Sequence, residues 1–285
     1  MTAAETARGL LELTRPVNAI AASVLTFVGA FVAGGAADQP IAVAAAVAAT
    51  GLAVGAGNAI NDYFDREIDR INQPQRAIPR GAVSPRGALA FSGVLFAAAV
   101  AVALTLPKVA VAIAAVNLVA LIAYTELFKG LPGVGNALVA SLVGSTFLFG
   151  AAAVGALGVP AAVLFLLAAV ATLTREIIKD VEDLAGDREE GLNTLPIAIG
   201  DRRALVVAAG LLVLAVLASP LPYLLGYFEE AYLAVVLPAD AIMLYAAYES
   251  FDDPTAGQSY LKYGMFVATL AFVVGRAALG VPVAN

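Results

Sequence analysis

The 285-residue chain contains no cysteine and no histidine. The first absence removes disulfides and thiolate metal sites. The second removes the commonest general base and the usual transition-metal ligand. Charge is scarce as well: charged residues make up 13% of the chain, about half the ~25% of a soluble domain. Lysine is rarer than arginine, 4 against 12, and the net charge is −6. This acidic, lysine-poor, alanine-rich usage fits a high-salt cytoplasm. Any chemistry must come from carboxylates, Arg, Lys, Tyr, Asn or a metal ion. A carboxylate-rich, histidine-free ligand set favours a hard cation such as Mg²⁺.

What the chain has instead is apolar residues, 61% of the total, with a mean hydropathy of +0.89. This composition predicts an all-α, polytopic membrane protein and excludes soluble binding modules and nucleic-acid readers. Residues 3–14 predict an interfacial amphipathic helix with Leu10, Leu11 and Leu13 on its apolar side. Apolar runs follow at about 15–33, 41–60, 88–106, 109–127, 135–157, 160–179, 203–224, 230–248 and 261–281, each near the ~20 residues that span a bilayer. The expectation is nine transmembrane helices in one bundle, a single domain over 1–285, with the first span retained rather than cleaved as a signal. Pro238 and Asp240 interrupt the eighth. Most basic residues fall on one side of this arrangement, with Lys108 and Arg276 on the other. The positive-inside rule then puts a multi-pass protein in the cell membrane with its N-terminus cytoplasmic.

Two polar stretches interrupt this pattern. NAINDYFDREID, residues 58–69, places Asn58, Asp62, Asp65 and Asp69 at offsets 0, 4, 7 and 11. EIIKDVEDLAGD, residues 176–187, places Glu176, Asp180, Asp183 and Asp187 at the same offsets. On a helix these offsets share one face. Each row ends an apolar run, the second and the sixth. An even offset of four helices predicts two parallel four-helix repeats plus one extra helix, with both rows at the cytoplasmic mouth. Repelling carboxylates at a membrane-helix end are costly unless a cation sits among them.

Mg²⁺ usually joins protein carboxylates to substrate phosphates. Arg15, Arg66, Arg76, Arg80, Lys129 and Lys179 are the cations at that mouth that would hold a phosphate or diphosphate. The adjoining interior is apolar and aromatic, with Phe64, Phe91, Phe96, Tyr124, Phe147 and Phe149 as candidate walls. A charged mouth over an apolar tunnel suits a diphosphate head on a hydrocarbon tail. Mg²⁺ and basic residues would stabilise the departing diphosphate, and π-rich walls would shield an allylic cation from water. Lys262, beside Gln258 and Ser259, is a candidate contact for an acceptor phosphate.

The two acid-rich stretches resemble the paired aspartate motifs of the UbiA superfamily of intramembrane prenyltransferases. LTRPVNAI (13–20), INQPQRAIPRG (71–81), YTELFKGLPGVGNALVA (124–140) and DREEGLNTLPIAIG (187–200) extend the likeness over nearly the whole chain. The loop and REIIKDVEDLAGD are most similar to the branch that makes the second ether bond of archaeal-type membrane lipids. The resemblance implies Mg²⁺-dependent transfer of a geranylgeranyl group from its diphosphate to the hydroxyl of geranylgeranylglyceryl phosphate. It implies Asn58, Asp62, Asp65, Asp69, Glu176, Asp180, Asp183 and Asp187 as metal and diphosphate ligands, with Asp62, Asp65, Asp180 and Asp183 catalytic. It further implies Arg66, Lys129 and Lys179 at the diphosphate, Arg15 and Asn18 near the acceptor, and Tyr124 and Asn136 lining the pocket. Ala77 stands where that family's loop carries proline. The implied partners are a prenyl diphosphate, an amphiphilic acceptor and membrane lipid, with no nucleic acid and no obligate protein partner. Quinone-precursor, tetrapyrrole and haem acceptors remain alternatives within the superfamily. A divalent-cation transporter and a non-catalytic lipid-binding protein are the alternatives outside it.

Overall fold

A computed structural model describes residues 2–128, 130–189 and 191–280. Its elements are α1 (Ala3–Leu13), α2 (Pro16–Val32), α3 (Pro40–Phe64), α4 (Arg66–Asn72), α5 (Pro85–Ala103), α6 (Lys108–Ala123), a π-helical turn (Tyr124–Phe128), α7 (Val134–Ala153), α8 (Val159–Glu182), α9 (Leu184–Glu189), α10 (Leu195–Ile199), α11 (Asp201–Ala218), α12 (Leu221–Leu224), α13 (Glu230–Glu249) and α14 (Pro254–Ala278). Among the described residues there is no strand.

Local sequence explains where these helices begin. Pro16, Pro40, Pro85 and Pro254 each open a helix, where the missing N–H costs nothing. The Thr2 side chain caps α1 and Glu5 returns the bond to the Thr2 backbone, a capping box. Ser84 and Asp253 cap α5 and α14 through the N–H groups of Gly87 and Ala256.

Among the described residues, seven helices are long and apolar enough to cross a membrane: α3, α5, α7, α8, the α11–α12 segment, α13 and α14. The chain is thus a multi-pass membrane protein. Helices α1 and α2 pass the same test only as a pair bent by 45°, and α6 is a shorter apolar helix. Helix α13 runs unbroken through Pro238, as membrane helices permit where neighbours re-satisfy the backbone. Many large side chains face outward, among them Val17, Ile41, Val116 and Leu217. Lipid rather than water suits such a surface.

The bundle centre is a close crossing of α2 and α7. A methyl group on Gly29 would fall on the Phe147 carbonyl oxygen and 2.7 Å from Phe147 Cα. One on Gly150 would fall on the Thr26 carbonyl oxygen and 2.9 Å from Ala30 N. The two contacts are reciprocal: each glycine meets the residue three before its counterpart. Small residues that let backbones touch drive helix association where the hydrophobic effect cannot. Around the crossing, Val28, Phe147, Leu164, Tyr232 and Phe272 form one packed cluster, and Ala46, Ala49, Phe149 and Ala152 another. Phe147 and Phe149 are therefore core residues rather than walls of an open tunnel.

Candidate active site

Both acid rows are interrupted at the same position. Helix α3 stops at Phe64, and Asp65 leaves helical geometry at φ −80°, ψ 1° before α4 resumes. Helix α8 stops at Glu182, and Asp183 does the same at φ −85°, ψ 3° before α9. Backbone bonds span each break: Asp65 N–H donates to the Asn61 carbonyl at 2.8 Å and Asp183 N–H to that of Lys179 at 2.9 Å. Each row is therefore two helices joined at its third member, not one continuous helix. No proline or glycine marks these breaks in the sequence.

The first row is wrapped in arginine. Asp62 and Asp69 are buried. Arg15 Nη2 donates to Asp62 Oδ1 at 2.6 Å. Arg76 Nη1 donates to both Asp69 oxygens at 2.8 and 2.7 Å and lies 3.6 Å from Asp62 Oδ1. Two buried carboxylates near each other need such compensation, since an unpaired buried charge costs several kcal/mol. Arg15 is held at φ 46°, the left-handed region, between α1 and α2. Strain of that kind in a non-glycine residue persists only where its surroundings impose it. Asn58 Nδ2 donates to the Thr14 carbonyl at 3.0 Å, so the α1–α2 bend is tied to the row twice.

The second row is more open. Asn136, buried at the start of α7, donates from Nδ2 to Asp180 Oδ2 at 2.8 Å. Lys179 Nζ lies 3.8 Å from Asp183 Oδ2, and both side chains are about half exposed. Asp187 Oδ2 is buried and completes no hydrogen bond among the described residues. Burial pushes the Asp187 carboxyl above its ordinary value; the nearby Thr194 hydroxyl opposes this, Asp183 adds to it and Lys179 opposes it.

Tyr124 joins the two rows. It stands at the head of the π-helical turn, half-buried, within electrostatic reach of Glu176, Asp180, Asp65 and Asp187. Gly135 makes room for it: a Cβ there would meet the Phe128 carbonyl at 2.9 Å and the Tyr124 ring at 3.5 Å. π-helical turns of this kind are frequent at functional sites. The segment after the second row docks nearby, with Asn193 N–H donating to the Gly130 carbonyl at 3.1 Å.

Other expected residues lie apart from this cluster. Arg80 pairs with Glu12 of α1 at 2.5 Å and with the Gln75 carbonyl at 2.7 Å, contacting neither row. Arg66 folds back on its own turn, donating to the Tyr63 carbonyl at 2.8 Å with its guanidinium 4.8 Å from the Tyr63 ring centre. Asn18 is exposed and shows no side-chain hydrogen bond among the described residues. Phe64 is exposed and packs edge-on to Tyr63. Lys129 lies outside the described residues. Among the described residues no three acids converge tightly enough to hold a metal ion by themselves.

Sequence reasoning passed over Arg175, whose Nη1 donates to Glu176 Oε1 at 3.1 Å and Nη2 to Gln258 Oε1 at 2.9 Å. Its signal was an arginine one residue before the first acid of the second row. It also left Asp240 aside. That residue is buried in α13 and accepts from Ser219 Oγ at 2.5 Å, far along the chain from either row.

Comparison with known proteins places these features. The UbiA prenyltransferase family matches residues 22–270. The digeranylgeranylglyceryl phosphate synthase of Natronomonas pharaonis is 65% identical over 275 residues, covering 96% of this chain and 99% of the relative. A solved structure from work on digeranylgeranylglyceryl phosphate synthase in membranes superposes with a TM-score of 0.82 at 35% identity, over 96% of this chain and 99% of that one. A UbiA homolog from Archaeoglobus fulgidus bound to GPP and Mg²⁺ shares the fold at a TM-score of 0.70 and 21% identity, over 96% of this chain and 100% of that one.

Proposed function

The chain belongs to the UbiA prenyltransferase family, and from that premise we propose that it moves a geranylgeranyl group from geranylgeranyl diphosphate to the free hydroxyl of geranylgeranylglyceryl phosphate. The product carries the second ether bond of an archaeal-type membrane lipid. The observation that carries the reading is the pair of matched acid rows, each interrupted at its third member, with Tyr124 between them. The digeranylgeranylglyceryl phosphate synthase that is 65% identical to this chain supports the choice of acceptor. Family membership makes the chain an enzyme and sets the cation-transporter reading aside.

The donor set fits Mg²⁺. Every candidate ligand is a hard oxygen, and the buried, unpartnered Asp187 Oδ2 is an acceptor waiting for a cation. Asn58, Asp62, Asp65 and Asp69 would hold it on one side, and Glu176, Asp180, Asp183 and Asp187 on the other. That no three acids suffice alone suits an ion that normally shares its shell with water and substrate phosphate. When bound, Mg²⁺ neutralises the charge that develops on the leaving diphosphate.

The chain's own residues supply the rest. Arg76, Lys129 and Lys179 are the cations for the diphosphate, with Arg66 and Arg80 further out. Asn136 orients Asp180, and Arg15 orients Asp62. In the transfer, the allylic C–O bond of the donor breaks and its electron pair leaves with the diphosphate. The acceptor hydroxyl oxygen forms the new C–O bond, and its proton passes to a carboxylate or to the departing diphosphate. No histidine is needed, because a reactive allylic cation accepts a weak nucleophile.

The architecture in this reading is nine spans in two parallel four-helix repeats and one last helix. The α1–α2 pair serves as the first span with its amphipathic lead, and α6 as the fourth. The matching breaks at Asp65 and Asp183 and the reciprocal contacts of Gly29 and Gly150 support the repeat. The site opens to the cytoplasmic leaflet of the cell membrane, where the arginine-rich loop lies.

The test is purified protein with geranylgeranyl diphosphate, Mg²⁺ and a panel of acceptors, each with an EDTA control. The panel holds geranylgeranylglyceryl phosphate, 4-hydroxybenzoate, a dihydroxynaphthoate and a chlorophyllide. Metal-dependent product from the glycerol phosphate alone supports the proposal. Product from another acceptor keeps the chemistry and overturns the acceptor.

A further inference from the structure

Two polar atoms on one face of α8 have no partner among the described residues: the Thr172 hydroxyl and Arg175 Nε. Thr172 is 4% exposed, and three residues along a helix brings Arg175 onto the same face. Both terminal nitrogens of the guanidinium are anchored. Nη1 holds Glu176 and Nη2 holds Gln258, which comes from the first turns of α14. The guanidinium is thus fixed between α8 and α14, and its buried Nε donor has no partner among the described residues.

A buried donor left unpaired is costly. Arg175 Nε can only donate and the Thr172 hydroxyl can do so, so a group that satisfies both is an oxygen acceptor. Glu176, adjacent to both, is balanced by Arg175 and leads by one helical turn to Asp180. The pair therefore sits beside Glu176, the first member of the second acid row, and one to two turns along α8 from Asp180, on the α14 side, apart from the arginines that wrap the first row. A two-substrate reaction between phosphorylated lipids needs two anion sites, and only one of them is the acid-lined mouth.

We propose that Thr172 and Arg175 bind the phosphate monoester of the acceptor lipid, with Gln258 as the positioning residue that fixes the guanidinium. This rests on the reading of the acceptor as a glycerol phosphate lipid. It gives the enzyme a means of separating that lipid from uncharged or aromatic acceptors without using the metal. Lys262, the other candidate for this role, is exposed one turn beyond Gln258, whereas Arg175 is the cation that Gln258 holds.

The experiment measures KM for each substrate in the full-length protein and in Thr172→Val, Arg175→Lys, Arg175→Gln and Gln258→Leu. Acceptors are geranylgeranylglyceryl phosphate and geranylgeranylglycerol, which lacks the phosphate. Thr172→Val and Arg175→Gln are expected to raise KM for the phosphorylated acceptor about tenfold, the worth of a hydrogen bond to a charged group. Arg175→Lys is expected to recover part of the loss and Gln258→Leu to show a smaller rise. In Thr172→Val, which leaves the Arg175–Glu176 pair intact, KM for geranylgeranyl diphosphate and use of the unphosphorylated acceptor stay as in the parent. Equal losses with both acceptors, or a matching rise in donor KM, would overturn the subsite in favour of a packing role. Calorimetric titration with geranylgeranylglyceryl phosphate separates the two proposals. If no glycerol lipid is turned over, the proposed function fails. The subsite then stands only if the parent binds this lipid and Thr172→Val and Arg175→Gln bind it more weakly.

Discussion

The α2–α7 crossing makes one chemical change, Gly to Ala, run in opposite directions at two positions. Gly210 lies inside α11 with nothing within 4 Å of where a Cβ would sit. There the change only improves helix propensity, worth about 1 kcal/mol. Gly150 and Gly29 face backbone on the other helix. A methyl on Gly29 would stand 2.7 Å from Phe147 Cα, roughly 1 Å inside the ~3.5–4.0 Å of a relaxed carbon contact. The blocking atoms are main chain in both directions, so no rotamer change relieves the clash and the helices must part. Overpacking costs about 1–3 kcal/mol, occasionally more, and a backbone obstacle belongs at the upper end. Thermal unfolding of each variant in one detergent, followed by far-ultraviolet circular dichroism, should rank Gly210→Ala at or above the parent and Gly29→Ala and Gly150→Ala clearly below. Parting α2 from α7 also moves Arg15 and Asn136, so activity should fall with stability. A melting temperature for Gly150→Ala equal to that of Gly210→Ala would refute the close crossing.

Other outcomes follow from the site. Asp62→Ala and Asp183→Ala should each lower turnover by about 10²–10³-fold, as loss of an electrostatic stabiliser does, while circular dichroism shows the fold retained; normal turnover in both would remove these acids from the machinery. Arg76→Ala strands Asp69 and weakens the hold on Asp62, and should destabilise by about 2–3 kcal/mol, less than a fully buried pair because Arg76 is partly exposed. Arg80→Ala removes only the peripheral contacts with Glu12 and the Gln75 carbonyl and should change stability far less than Arg76→Ala; unfolding midpoints decide whether the order of the two arginines is right. Burial raises the Asp187 carboxyl above 3.8, so its folded form favours the proton. In metal-free buffer its contribution to stability is full below 3.8 and is lost as pH rises through the window above that value. Asp187→Asn should flatten this fall, and a parent and variant with the same pH profile would show that Asp187 is not desolvated.

Some of this was legible in the sequence because it depends on one helix at a time. The acid rows follow from the helical period, whereas the starts of α5 and α14 do not follow from hydropathy: the apolar runs begin near 88 and 261, but the helices open at Pro85 and Pro254. The breaks at Asp65 and Asp183 were not legible, because neither proline nor glycine marks them and one aspartate costs a helix only about 0.7 kcal/mol or less. Nor was the role of Gly29 and Gly150, since a glycine in a membrane helix does not name its partner. Phe147 and Phe149 read as tunnel walls until the helices they pack against were placed. Arg80 looked like one more cation at the mouth, yet Glu12 from sixty-eight residues earlier claims it. Arg175 was passed over for the same reason: its significance lies in Gln258 of α14, a contact that periodicity cannot see.

The most direct test of the central claim is a competition in one reaction. Purified protein receives geranylgeranyl diphosphate and Mg²⁺ with geranylgeranylglyceryl phosphate and 4-hydroxybenzoate at equal concentration, and the products are identified by mass. The account predicts that the doubly prenylated glycerol phosphate accumulates and that EDTA abolishes it. Prenylated hydroxybenzoate as the main product, or glycerol lipid formed equally well in EDTA, would contradict it.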